Sequence, residues 1–270
     1  MKKILCLIMA LVTVFALCAC GAKQEAAPAP APEAEAPAEA APVEKEVLVV
    51  GITDFAPMDY KDENGEWIGF DADMAKAFAE YLGQDVEFIE IDWDNKIMVL
   101  DSGAIDCVWT GMTLTDAVKE AMECGNAYCL NAQVVVVKAE VAEQYQDEAS
   151  LAELVFAVEA GSAGEAVVSD MGLEMVSVPT QADALMEVAA GTSDACVIDL
   201  LMAGAMIGEG TSYPELTYTV KLNSEEYGVG FKKGSGMAEK YNAFYAEAYA
   251  AGTVMEIAKL YGVQESIIAG

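Results

Sequence analysis

The fold is decided by a stretch that begins with EVLVVGI at residues 46–52, a short apolar run rich in β-branched residues. Such a run is typical of a buried strand. Residues 72–82 then read ADMAKAFAEYL, with apolar residues at helical spacing. Two more strand-like runs follow, VEFIEI at 86–91 and AIDCVW at 104–109, and residues 93–102 between them have a helical pattern. This β-α-β-α-β order predicts an α/β fold with helices flanking a sheet.

A second unit of the same kind follows in the chain. Strands are predicted over residues 133–138, 154–158, 175–178 and 195–198, with helices over 163–170 and 182–190. Strands are predicted again over residues 216–222 and 227–232, and a helix over 237–262 with a break at Gly252. Two α/β units joined by two extended strands predict a two-lobed clamshell. The first lobe is expected to comprise residues 46–130 plus 225–270, and the second residues 131–224.

The N-terminus has the features of an export signal. Two lysines precede an apolar run at residues 4–17, which is short for a membrane span and ends in the small-residue sequence CACG. Residues 1–20 are therefore predicted to be a lipoprotein signal peptide, with Cys20 acylated as the new N-terminus. The alternative is an ordinary signal peptide. Residues 21–45 are almost entirely Ala, Pro, Glu and Lys, so we expect a disordered tether.

The charge of the chain excludes several classes of protein. The net charge is −31, with 14 lysines, no arginine and no histidine. Nucleic-acid binding needs a basic surface, and histidine-based catalysis or metal ligation is impossible here. The acidity either serves solubility alone or favours a cationic or zwitterionic ligand. No cofactor and no metal site is predicted. The cysteines after the signal (Cys107, Cys124, Cys129, Cys196) are either paired or buried free thiols.

Four ordered stretches carry a resemblance to a known family. They are FAPMDYKDENG at residues 55–65 running into GFDADM at 69–74, WTGMTLT at 109–115, SDACVID at 193–199, and YGVGFKKG at 227–234. In order and spacing, from about Val47 to Tyr261, the chain resembles the polar-amino-acid type of extracellular or periplasmic solute-binding protein of ABC importers, the family 3 solute-binding lipoproteins. The resemblance implies a type II periplasmic-binding-protein clamshell. It also implies a small-molecule ligand between the lobes, an importer permease as partner, and a monomer held at the membrane by its lipid.

The resemblance also implies which residues bind the ligand. Phe55 and Trp93 match cleft-lining aromatics. Thr110, Gly111 and Thr113 match the segment whose backbone and hydroxyl groups hold a ligand carboxylate. The loop at Gly161, Ser162 and Ala163 begins a helix and its amides are suited to the same group. Asp199 matches the carboxylate that pairs with the ligand's ammonium.

Two positions depart from the family pattern. Val118 stands where the family has a carboxylate-binding arginine, and Ile52 stands where an acidic residue is common. Neither valine nor the neighbouring Lys119 reproduces a bidentate guanidinium, although Lys119 could act as a point charge. The ligand is therefore either an amino acid held by amide and hydroxyl donors, or a cationic or neutral molecule without an α-carboxylate. In the second case Phe55 and Trp93 could provide cation–π contacts.

Two other classes of function use the same architecture. An enzyme on this fold would need cleft acids, of which only Asp199 and Glu165 are plausible, and no nucleophile–base pair is visible, so no enzymatic activity is predicted. A sensory module would report the ligand to a membrane partner. The export signal without any later membrane-spanning run favours the transport role.

Overall fold

The computed structural model describes residues 46–270. The predicted signal peptide, the acylated Cys20 and the tether over residues 21–45 therefore lie outside the described residues. The strands are β1 Val47–Ile52, β2 Tyr60–Lys61, β3 Trp67–Ile68, β4 Asp85–Glu90, β5 Cys107–Val108, β6 Glu123–Cys124, β7 Cys129–Asn131, β8 Gln133–Lys138, β9 Val155–Glu159, β10 Glu174–Val178, β11 Ala195–Asp199, β12 Leu216–Lys221, β13 Glu225–Tyr227 and β14 Gly230–Phe231. The helices are α1 Phe70–Leu82, α2 Lys96–Ser102, α3 Asp116–Ala121, α4 Ala163–Asp170, α5 Gln181–Ala190, α6 Leu200–Met206, α7 Met237–Ala251 and α8 Thr253–Leu260.

The first lobe is built on a five-stranded sheet with the order β4-β1-β5-β14-β6. Strand β1 pairs in parallel with β4 and β5, whereas β14, from the end of the chain, pairs antiparallel with β5 and β6. An aromatic core supports this sheet, in which the ring of Trp109 lies 5.2 Å from that of Tyr241. Trp109 is only 1% exposed, as expected for a core residue.

The second lobe is built on another five-stranded sheet, with the order β10-β9-β11-β8-β12. Strand β9 pairs in parallel with β10 and β11, and β8 pairs antiparallel with β11 and β12. The four valines of β8 are completely buried, which explains why this strand is a continuous apolar run rather than an alternating one.

Strands β7 and β13 connect the two lobes. They lie between the segments that form the two large sheets and pair with each other antiparallel, Asn131 opposite Glu225 and Cys129 opposite Tyr227. Their proximity places the two crossings of the chain side by side, as the predicted clamshell requires. The predicted lobe boundaries at residues 130/131 and 224/225 stay a prediction.

Local chemistry explains where the helices begin and end. Helix α1 ends at Gly83, whose φ of 72° is left-handed and suits glycine. Helices α4 and α5 begin at Ser162 and Thr180, whose hydroxyls accept hydrogen bonds from the amides of Glu165 and Asp183.

The structure differs from the sequence pattern in several places. The strand predicted over residues 227–232 is divided at Gly228 between β13 and β14, because its two parts belong to different sheets. The strand predicted over 104–109 is shortened to β5. The helices α3 and α6 were not predicted, since each has only six or seven residues and too few turns for a clear periodicity. None of the helices among residues 46–270 is long and apolar enough to span a membrane.

Candidate ligand-binding site

In the first lobe, the site lies beyond the carboxyl ends of two parallel strands. Strand β1 leads into Thr53 and Phe55, and β5 leads into Thr110 and Gly111. The hydroxyls of Thr53 and Thr110 are 2.9 Å apart and join the two strand ends. Because neighbouring parallel strands end at the same edge of a sheet, polar groups separated by 57 residues in the chain meet here.

In the second lobe, the site also lies at the carboxyl ends of two parallel strands. Strands β9 and β11 run in parallel, so Glu159 and Asp199 end at one edge of the sheet. The loop after β9 turns at Gly161, whose φ is 70°, and leads into α4. The N-terminus of that helix points backbone amides towards the same edge.

The two edges enclose a cleft of about 530 Å³. All eight residues that the resemblance implies line it: Phe55, Trp93, Thr110, Gly111, Thr113, Ser162, Ala163 and Asp199. Their contact with a ligand stays a prediction, but the structure brings them together from both lobes. Among residues 46–270, no group of three or more Cys, Asp or Glu side chains is arranged to hold a metal ion.

Asp199 is a buried carboxyl group of the cleft that is held by three side-chain hydrogen bonds. It is 5% exposed and accepts hydrogen bonds from the side-chain amides of Asn131, Gln133 and Gln181. Burial, followed by the negative charge of Glu225, raises the pKa of Asp199 to about 7. A cationic group in the cleft would favour the ionised form of this carboxyl.

Glu159 is a second buried acid that the sequence analysis missed. It lines the cleft and is 7% exposed. Burial, followed by the charge of Asp199, raises the pKa of Glu159 to about 8. Asp54 and Asp94 line the cleft as well, so the expectation that Asp199 and Glu165 are its only acids was wrong. The available signal for Glu159 was its position at the carboxyl end of a predicted buried strand.

Lys96 was also missed, and it is the only basic residue among those lining the cleft. Its amino group donates to the carbonyl oxygen of Trp93 at 3.1 Å and to that of Gly161, in the other lobe, at 2.8 Å. It also lies 4.3 Å from the centroid of the Trp93 ring. A lysine of this chain therefore occupies the cation–π position that a ligand could have taken at Trp93.

The donors expected to hold a carboxylate in the first lobe already have partners. The Gly111 amide donates to Asp71 at 2.6 Å, and the Thr113 hydroxyl donates to Glu225 at 2.9 Å. The same oxygen of Asp71 accepts a hydrogen bond of 2.6 Å from Tyr128, and burial raises the pKa of Asp71 to about 7. Gly111 also packs directly against the ring of Phe55. A Cβ at residue 111 would lie 2.2 Å from that ring, so only glycine fits there.

The positions that depart from the family pattern supply no charge to the cleft. Val118 lines the cleft and is buried, and Ile52 is completely buried within β1. Lys119 is exposed and lines a neighbouring groove, which shares Thr113 and Thr115 with the cleft. Lys119 is not among the residues that line the cleft itself, and its role as a point charge on the ligand stays a prediction.

The four cysteines of the described residues are free thiols, and three of them, Cys107, Cys129 and Cys196, are buried. Burial raises the pKa of each of these three thiols. Of the two alternatives left open by the sequence, the structure has unpaired thiols.

Comparison with known proteins agrees with this architecture. The family described as bacterial extracellular solute-binding proteins, family 3, matches residues 48–264. The L-arginine-binding protein of Pseudomonas aeruginosa is 29% identical over 219 residues, covering 77% of this chain and 84% of that protein.

Two solved structures are similar over most of their length. A mutant of ArgBP from T. maritima has a TM-score of 0.75 at 29% identity, covering 80% of this chain and 95% of that one. The ancestral amino acid-binding protein AncCDT-1, a precursor of cyclohexadienyl dehydratase, has a TM-score of 0.73 at 28% identity, covering 80% and 95%. This chain therefore belongs to the family 3 bacterial extracellular solute-binding proteins and has their type II periplasmic-binding-protein clamshell fold.

Proposed function

We propose that this protein binds a cationic amino acid between its lobes, outside the cytoplasm, and delivers it to the permease of an ABC importer. Family membership supports the class of function. The similarity to the L-arginine-binding protein of Pseudomonas aeruginosa supports the ligand class, since arginine is a cationic amino acid. The eight cleft residues are proposed ligand contacts.

The observation that carries this proposal is the pair of buried carboxyl groups in the second lobe. Asp199 and Glu159 are 5% and 7% exposed, and both face the cleft. Among residues 46–270 the direct ion pairs are Lys61–Glu90 and Lys76–Asp73, so neither buried acid forms one there, although the charge of Lys96 lowers the pKa of Glu159. Buried carboxylates are stable only when they are paired or protonated. A ligand with two cationic groups, an α-ammonium and a basic side chain, fits both.

The acidic surroundings extend this preference beyond the two buried groups. Asp54, Asp94 and Glu165 also line the cleft, against Lys96 alone. The potential inside a cleft lined by one sign of charge is concentrated by its low-dielectric walls. Anionic ligands such as L-glutamate are therefore expected to bind poorly.

A thermal-shift screen of the purified protein tests the proposal. L-Arginine, L-lysine and L-histidine are compared with L-glutamine and L-glutamate at equal concentration. A ligand at about a hundred times its dissociation constant stabilises the folded state by about 2.7 kcal/mol, which is easily measured. Stabilisation by L-glutamate, or by L-glutamine in preference to all three basic amino acids, would contradict the cationic ligand.

An amine without an α-carboxylate is the second candidate. It is favoured by Val118 at the position of the family arginine and by the engagement of the Gly111 amide with Asp71. L-Arginine and its decarboxylated form, agmatine, separate the candidates, because they share the guanidinium and differ in the carboxylate. Tighter binding of agmatine would establish the second candidate.

The proposal includes a lipid anchor at Cys20. The small-residue sequence around Cys20 and the Pro-rich segment after it support acylation and a spacer that holds the protein near a membrane. Incorporation of a palmitate analogue that is lost in Cys20→Ser would support the anchor. Incorporation that persists in this variant would contradict it.

The proposal also states that the protein works as a monomer, needs no cofactor and has no enzymatic activity. Light scattering of the ligand-bound protein tests the first point. A sensory role with a membrane partner differs from transport in its genetic context. Neighbouring genes for a permease and an ATPase support transport, whereas a neighbouring membrane kinase supports sensing.

A further inference from the structure

We propose that Lys96 recognises the ligand's α-carboxylate and so replaces the guanidinium that this cleft lacks, an inference that rests on the proposed amino-acid ligand. A carboxylate needs a cationic or multiple hydrogen-bond partner when it leaves water. Lys96 is the one cation among the cleft-lining residues. Val118 has no charge, and Lys119 lines a different groove.

The first observation is that Lys96 is a buried cation in no direct ion pair, although the charges of Glu159, Asp94 and Glu165 act on it from a greater distance. It is 7% exposed, and no ion pair involves it within the part of the chain that the structure describes. Its only acceptors there are two neutral carbonyl oxygens, those of Trp93 and Gly161. An ammonium group has three N–H donors, so one remains for a ligand. Burial lowers the pKa of Lys96, and a bound anion would favour its charged form.

The second observation is that the amino group is held in place. The Trp93 ring, 4.3 Å away, and the Trp93 carbonyl oxygen fix it from the first lobe. The Gly161 carbonyl oxygen fixes it from the second lobe at 2.8 Å. Gly161 immediately precedes Ser162 and Ala163, where α4 begins. The amides of Gly161 and Ser162 already donate to Glu165 and to the carbonyl oxygen of Glu159. A carboxylate bound to Lys96 would still lie near the start of that helix, where its dipole favours anions.

The third observation concerns the neighbouring charges. Glu159, Asp94 and Glu165 all favour the protonated form of Lys96. Two charged groups act on Glu159 in opposite directions: the charge of Asp199 raises the pKa of Glu159, and the charge of Lys96 lowers it. The cleft thus contains one cation, Lys96, with Glu159 and Asp199 among the acids that line it. The head group of an amino acid carries both complementary charges, a carboxylate for the cation and an ammonium for an acid.

The test compares L-arginine with agmatine on the full-length protein by isothermal titration calorimetry. Lys96→Met keeps the apolar stem but loses the charge, and Lys96→Arg keeps the charge. We expect Lys96→Met to weaken L-arginine binding by about 10- to 100-fold, the usual range for a lost charged hydrogen bond. Agmatine affinity should stay within about twofold in Lys96→Met. Lys96→Arg keeps a cation that can bind a carboxylate and should lose less L-arginine affinity than Lys96→Met.

A matched control is available on the surface. Lys61 lies 4.6 Å from the centroid of the Trp67 ring, outside the cleft, and Lys61→Met should change neither affinity. An equal loss for both ligands in Lys96→Met would mean that Lys96 only joins the lobes, which overturns the assignment. If the wild-type protein binds agmatine but not L-arginine, the assignment of Lys96 is also overturned, and the cleft is a site for a cation without a carboxylate. If the wild-type protein binds neither L-arginine nor agmatine, and also no other amino acid or its decarboxylated form, both the proposed function and this assignment are rejected.

Discussion

The side-chain amide of Gln133 donates a hydrogen bond of 2.8 Å to Asp199, the buried carboxyl group of the cleft. The same nitrogen lies 2.8 Å from Oε1 of Glu225, which belongs to the connecting strand β13. Asn131, on the paired strand β7, also donates to both carboxyl groups. The acid that faces the cleft is therefore tied to both connections between the lobes.

This arrangement predicts that Glu225 sets the pH range of ligand binding. The charge of Glu225 raises the pKa of Asp199, and a cation prefers the ionised carboxyl. Glu225→Gln removes that charge and should move the midpoint of pH-dependent binding to lower pH. Calorimetric titrations with L-arginine between pH 5 and pH 9 measure the midpoint. Glu226→Gln changes an exposed neighbour on the same strand and serves as the control. An unchanged midpoint in Glu225→Gln would contradict the coupling.

Asp199→Asn is expected to abolish binding of a cationic ligand. The substitution keeps the size and shape of the side chain, but it removes the charge and replaces one acceptor oxygen by an amide donor. Loss of a buried charge partner costs several kcal/mol, so affinity should fall by at least about 100-fold. Asp170→Asn, at the exposed end of α4, should bind as the wild type does. Retained affinity in Asp199→Asn would show that the ligand's cation lies elsewhere.

The stability of the ligand-free protein should fall as the pH rises. Asp199 and Glu159 have folded-state pKa values of about 7 and about 8, above their ordinary values of 3.8 and 4.5. The folded state therefore binds more protons than the unfolded state between these limits, and its free energy of unfolding decreases with pH. The two contributions are complete below about pH 4 and are lost by about pH 8.

Thermal unfolding at a series of pH values checks this expectation. The midpoint of the wild type should decrease between pH 5 and pH 8, and Asp199→Asn together with Glu159→Gln should flatten the profile. Saturating cationic ligand should raise the midpoint more at pH 8 than at pH 5, because it favours the ionised carboxyl groups. A midpoint that increases over this range in the absence of ligand would be inconsistent with the raised pKa values.

Gly161→Ala should impair binding by keeping the lobes apart. A Cβ at this position would lie 3.0 Å from Cα of Asp94 in the other lobe, and 2.8 Å from its Oδ1. Gly172→Ala is a matched control, since Gly172 has nearly the same φ, 68° against 70°, and no atom near the added Cβ. Both variants carry a similar backbone cost of about 1–2 kcal/mol. Only Gly161→Ala should weaken ligand affinity, by about 10-fold or more. Equal affinities in the two variants would contradict this interpretation.

The buried thiols should resist modification in the folded protein. Burial both blocks access and raises the pKa of Cys107, Cys129 and Cys196, and the thiolate is the reactive form. Alkylation mapped by peptide mass spectrometry should label Cys124 first and the other three only after unfolding. Failure of any of the four to react under denaturing, non-reducing conditions would indicate a disulfide.

Much of the architecture was predictable because it depends on local pattern. Strand β8 is recognisable from four consecutive valines, and α4 was predicted after the glycine loop at Gly161 with the same limits as observed. The division between β13 and β14 was not predictable in this way. Both parts are extended, and only their pairing with different sheets separates them.

The sequence by itself determined the α/β class, the two repeated units, the family resemblance and eight of the positions that line the cleft. These features are carried by residue type and by the order of short motifs along the chain. The tertiary structure decided the charges that act there. Lys96 meets Gly161 across 65 residues, Glu159 comes close enough for the charge of Asp199 to raise its pKa, and the Gly111 amide is engaged by Asp71. Electrostatic and hydrogen-bond energies depend on distance and burial, which no local pattern specifies.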